Sequence, residues 1–195
     1  MITAEDAKAI ILRRSRSDDD GPQLAIQSCE LSPRGDFWII HANSEDYVVR
    51  GIWERMLVGV SAYLVNVNDG AMTVVGSGQS WQEFLRDKYD EDAAGTMRYV
   101  LEPTFFRDDK RAVINLRQRL ECSLQTALRM LSPGHRQWLT GVRSLLLDVQ
   151  DMLHERGIET AIVLLPSAEG AIEIDHSIWH WNAVASRMRS RFQSA

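Results

Sequence analysis

The turn Asn68-Asp69-Gly70 constrains this chain more than any other feature. Asn, Asp and Gly accept the positive φ of a tight turn at little steric cost. The flanking residues 61–67 and 71–75 are rich in β-branched and aromatic side chains, the composition of strands. Together they predict a β-hairpin. Further on, Ser80-Trp81-Gln82-Glu83 has the spacing of a capping box. In such a box the serine hydroxyl accepts from the glutamate amide, and the carboxylate reaches back to the serine amide. Trp81, Phe84 and Leu85 then fall on one helical face, with the aliphatic stem of Lys88 one turn on. Strand, turn, strand and helix are thus written in local chemistry, enough to bury one face of a sheet.

Upstream, Thr3 is placed to cap a helix running to about Arg14, with Ala4, Ala7, Ile10 and Ile11 as its apolar stripe. The polar run 15–22 breaks it at a Gly-Pro turn. Residues 23–31 and 36–42 read as strands joined by Ser32-Pro33-Arg34-Gly35. In the second strand Phe37 and Ile39 alternate with Trp38 and Ile40, so both of its faces are expected to be covered. Residues 43–59 are irregular, with a short strand expected near 47–49 and a helical turn near 53–56. The acidic, small-residue stretch 90–95 is the candidate boundary between domains at 1–95 and 96–195.

The second half reads as mainly helical. A strand is expected at 96–102 and a long helix from Asp108 or Asp109 to Leu131. A second helix over 135–156 would pair with it as an αα-hairpin. Gly157 ends that helix, 158–165 reads as a buried strand, and 171–174 as a short one. Asp175 is expected to cap a final helix burying Ile178, Trp181, Val184, Ala185 and Met188. The fold class is therefore α+β: a small antiparallel sheet with flanking helices, followed by a mainly helical part with a short β element.

With 45% hydrophobic and 25% charged residues, the composition is that of a globular chain that can build a core. No apolar run reaches the roughly 18 residues of a membrane span, and the N-terminus has no secretory pattern. Cys29 and Cys122 are far apart and outside any paired motif, which fits two buried thiols in a reducing, cytoplasmic setting. Charge is uneven: −7 over residues 1–95 and +2 over 96–195. An acidic first half argues against nucleic acid and suits a basic protein partner.

Residues that could carry catalysis are sparse. His176 and His180 stand at i, i+4 near Glu173 and Asp175, a spacing that can hold a metal. They lack a third clear ligand and the glutamate of a metalloprotease helix, so capping or packing is the favoured reading. Gly76-Ser77-Gly78 is too short for a phosphate loop and reads as a connector. No nucleophile elbow exists. Asp18, Asp19 and Asp20 lack the alternation of a calcium loop. Aromatic residues among acids in an irregular segment, namely Glu45, Asp46, Tyr47, Trp53 and Glu54, have the composition of a protein-binding surface.

The N-terminal helix, Asp36-Phe37-Trp38-Ile39-Ile40, Asn43-Ser44 with Tyr47, and residues 57–78 leading into Ser80-Trp81-Gln82-Glu83-Phe84-Leu85 form one pattern. Over residues 1 to about 92 this pattern resembles the immunity protein 35 family (YrhB-like) of bacterial polymorphic-toxin systems. Val60-Ser61-Ala62 departs from it, where a Gly-Pro-like element is commoner, and the chain from Thr96 on lies outside the match. The resemblance implies no catalytic residues and no cofactor. It implies a cytoplasmic, non-enzymatic protein that binds and neutralises a cognate toxin made by the same cell, in a 1:1 complex. The expected contact residues are Asp18, Asp19, Asp20, Glu45, Asp46, Tyr47, Trp53, Glu54, Asp90, Glu91 and Asp92. Two alternatives stand beside this: a small metal-dependent enzyme with a site between the halves, around Glu173, His176 and His180, or an adaptor domain using the αα-hairpin.

Overall fold

The computed structural model describes residues 1–16, 21–175, 177–178 and 180–193. The chain divides into two compact units, Met1–Arg86 and Asp87–Ala195. Both mix helices with a sheet, so the protein is α+β.

In the first unit, helix α1 (Ala4–Arg16) precedes strands β1 (Leu24–Leu31) and β2 (Phe37–Ser44). The one-turn helix α2 (Glu45–Val48) and a 3-10 turn at Trp53–Arg55 follow. Strands β3 (Val60–Asn66) and β4 (Met72–Gly76) complete an antiparallel sheet in the order β1-β2-β3-β4. Helix α3 (Trp81–Ala94) comes next, and the division between the units falls within it.

The local chemistry behaves as read. Thr3 and Asp6 cap α1 reciprocally: the Asp6 amide donates to Thr3 Oγ1 at 3.2 Å, and the Thr3 amide donates to Asp6 Oδ2 at 3.0 Å. Ser80 and Glu83 do the same for α3, at 3.2 Å and 2.9 Å. The hairpin turns at Gly70, whose φ is +72°, and its amide donates to the Asn66 carbonyl at 2.9 Å. Ala7 and Ile11 of α1 pack with Ile40 and Val65 on one face of the sheet. Phe37, Ile39, Ala62, Leu64 and Val75 are buried on the other, as the doubly apolar pattern of β2 requires.

The second unit holds β5 (Arg98–Pro103), α4 (Lys110–Arg119), α5 (Leu124–Met130), β6 (Leu139–Thr140), α6 (Arg143–His154), β7 (Thr160–Leu165), β8 (Ile172–Glu173) and α7 (Trp181–Gln193). Its sheet runs β7-β5-β6-β8, with β5 antiparallel to both neighbours and β6 parallel to β8. The core gathers Leu101, Leu116, Met130, Trp138, Leu146 and Val184 among others. Trp138 is fully buried, and its indole N–H donates to the Met130 carbonyl at 2.9 Å, so the buried polar group is satisfied.

Several elements differ from the sequence expectation. The strands expected at 96–102, 158–165 and 171–174 form as β5, β7 and β8, but β6 joins them in a four-stranded sheet, more β structure than a short element. The long helix over 108–131 is two helices, because Glu121 takes φ +50° and Ser123 caps α5 by accepting from the Thr126 amide. The helix expected over 135–156 starts only at Arg143, because Leu139 and Thr140 are drawn into the sheet. Gly141 follows them; a Cβ there would lie 2.9 Å from the Ile174 carbonyl oxygen, so only glycine permits that approach. The αα-hairpin therefore does not form. The strand expected near 47–49 is helical in α2, with Ser44 as N-cap. Asp175 accepts from the Ser177 amide in a turn, and α7 begins later, at Trp181. No helix among the described residues is long and apolar enough to cross a membrane.

Candidate functional site

The segment between β2 and β3 leaves the end of β2 and is tied back to it. Asn43 Oδ1 accepts from the Leu57 amide at 2.7 Å, and Asn43 Nδ2 donates to the Leu57 carbonyl at 3.1 Å. One side chain thus imitates a strand partner for a residue outside the sheet. The buried hydroxyl of Ser44 donates to the Arg55 carbonyl at 2.5 Å and accepts from the Tyr47 amide at 3.1 Å. Backbone bonds close the rest: Ile52 donates to the Asp46 carbonyl, Met56 to the Trp53 carbonyl, and Ser77 to the Gly59 carbonyl. The loop has its own hydrogen-bond scaffold, which holds the course of its backbone.

What the scaffold presents is apolar. Val49 is 68% exposed, Trp53 69% and Val58 81%, and Met56, Leu57 and Val60 are exposed beside them. The Trp53 ring meets Tyr47 edge to face at a centroid distance of 5.2 Å, which orients the indole without covering it. Single exposed apolar residues are ordinary, but seven within the twelve residues 49–60 are an unusual density for a solvent-facing segment.

Acids rim the group. Arg50 reaches Asp46 at 2.8 Å and Glu45 at 3.6 Å, so one guanidinium holds both carboxylates. Glu54 is exposed and makes no ion pair among the described residues. The structure therefore brings together five of the expected contact residues, Glu45, Asp46, Tyr47, Trp53 and Glu54. Asp90, Glu91 and Asp92 lie on α3 in the second unit, where Asp90 pairs with Arg143 at 3.4 Å and Asp92 with Lys88 at 3.6 Å. Asp18, Asp19 and Asp20 lie outside the described residues. The sequence reading missed Met56, Leu57, Val58 and Val60 as surface residues. The available clue was an apolar run, bracketed by Gly51 and Gly59, that follows neither a helical nor a strand period.

A second concavity lies in the second unit. A groove of about 550 Å³ is lined in part by Glu91, Arg98, Thr140, Gly141 and Glu173. Its charged residues, Glu91, Arg98 and Glu173, are exposed, and Tyr99 beside them is half-buried, its hydroxyl donating to the Asp90 carbonyl at 3.1 Å. His180 Nδ1 accepts from the Ala183 amide at 3.3 Å and so caps α7; His176 lies outside the described residues. Among the described residues no three histidine, cysteine, aspartate or glutamate side chains cluster as metal ligands would. Cys29 and Cys122 are free and half-buried rather than fully buried. Burial pushes both thiols above their ordinary pKa, away from the thiolate that nucleophilic chemistry needs.

No family model, curated protein or solved structure matches this chain.

Proposed function

We propose that this chain is a cytoplasmic immunity protein that binds a cognate bacterial toxin one to one and neutralises it by covering its active site. The observation that carries the reading is the loop over residues 49–60: apolar and aromatic, solvent-facing, yet fixed by Asn43 and Ser44. A monomer gains nothing by presenting Trp53 and Val58 to water. A binding protein gains affinity, because the ordering cost is met before the partner arrives. The family-like residues Asn43, Ser44 and Tyr47 are among those that build the loop. The function asks for no cofactor and no nucleic acid.

The test is capture of the toxin encoded beside this chain, together with co-expression. Association at micromolar concentration with rescue of growth supports the reading. Absence of both rejects it.

A further inference from the structure

On the reading just given, we propose that the toxin meets this chain through an apolar pocket that takes the Trp53 indole, rather than through a basic cleft that takes its acids. Three observations point this way.

The first is extent. All seven apolar residues over 49–60 are at least 38% exposed, and Val49, Trp53 and Val58 by more than two-thirds. A segment of this composition can supply the apolar centre of a specific contact.

The second is charge. Glu45 and Asp46 are already held by Arg50, at 3.6 and 2.8 Å. A basic cleft would have to displace that guanidinium or repel it. Arg55 is exposed next to Glu54, so the surface carries both signs in near balance. A surface of this kind gives weak long-range steering and a contact that salt screens little.

The third is shape. Trp53 projects from a 3-10 turn tied back by Ser44, with Tyr47 packed edge to face against it. A largely uncovered indole with one ring braced against it is the form of an interface anchor.

The experiment measures toxin binding by the full chain in about 50 mM and about 500 mM NaCl. It compares the wild type with Trp53→Ala and with the double variant Glu45→Gln/Asp46→Asn. The expected result is a change in affinity of less than about threefold across the salt range. The double variant should bind within about threefold of the wild type, and Trp53→Ala should lose about thirtyfold or more. Circular dichroism should show all of them folded, since every altered side chain is partly or largely exposed. Binding that falls tenfold or more with salt, or that survives Trp53→Ala but not the acid substitutions, overturns the pocket while leaving neutralisation standing. A wild-type chain that sediments as a dimer, with Trp53→Ala a monomer, would put a second copy on the loop and also overturn it. No association under any condition removes the neutralisation reading and the pocket with it.

Discussion

Two exposed carboxylates show how much of this fold is set one residue at a time. The hydroxyl and then the amide of Thr3 donate to Asp6, and the amide and then the hydroxyl of Ser80 donate to Glu83. These bonds hold both carboxyls below their ordinary pKa. A carboxyl depressed by folding adds stability above its unfolded value, near 4, and that stability is lost as pH falls through the lower folded value. The wild-type thermal midpoint should therefore drop as pH falls from about 5 to about 3, and the variant Thr3→Ala/Ser80→Ala should drop less steeply. Parallel curves would contradict the role given to the caps. Both boxes are legible in the sequence, because a cap depends on residues within one helical turn. Glu121 is not: nothing in its type announces φ +50°, and the neighbouring cap Ser123 is the only local sign that a helix restarts. The arginines near the C-terminus show the same limit. Arg189 and Arg191 donate to the carbonyls of Leu120 and Gln137 rather than serving their own helix end, and partners so distant in sequence leave no local trace.

At the scale of elements, the hairpin and the loop make opposite demands. The hairpin needs Gly70 for two reasons, its φ of +72° and the 3.2 Å that would separate an added Cβ from Ile10 Cδ1 of α1. Gly70→Ala should lower the unfolding free energy by about 1–2 kcal/mol, the cost of left-handed backbone for a residue with a Cβ, read as a lower urea midpoint. An unchanged midpoint would show that the turn relaxes freely. The loop over 49–60 needs Asn43 instead. Asn43→Ala removes both bonds to Leu57, and the Leu57 amide should then exchange hydrogen faster while the amides of β2 and β3 keep their protection. Exchange unchanged at Leu57 would mean that the loop is fixed by something other than this side chain. The hairpin was legible from its turn residues and strand composition. The loop was legible only as a composition of acids and aromatics, because exposure depends on where the sheet ends and which side chain reaches back to it. Its helical start has a local signal: Ser44, followed by Glu45 and Asp46, is a good helix beginning. The β-branched pair Val48-Val49 favours a strand instead, and the two signals conflict.

Across the whole molecule, sequence pattern reached the α+β class, most elements of the first unit and three strands of the second sheet, but not β6. Periodic apolar residues over 108–131 and 135–156 fit helices well, and α4, α5 and α6 occupy much of both ranges. The two-residue strand β6 is held by pairing with β5 and β8, and a strand that short carries no pattern of its own. Two surfaces differ in character. The groove near Glu91, Arg98 and Glu173 has room, and those three charged residues are exposed. The loop has no chemistry to perform, yet it holds a large apolar surface in a fixed form. On the proposed function, the chain works by covering a partner with that loop. The most direct test is titration calorimetry of a toxin encoded beside this chain against the wild type and against Trp53→Ala. The expected result is 1:1 binding by the wild type and a loss of about 2 kcal/mol or more for the variant, with its folding intact. Equal binding by both chains would contradict it.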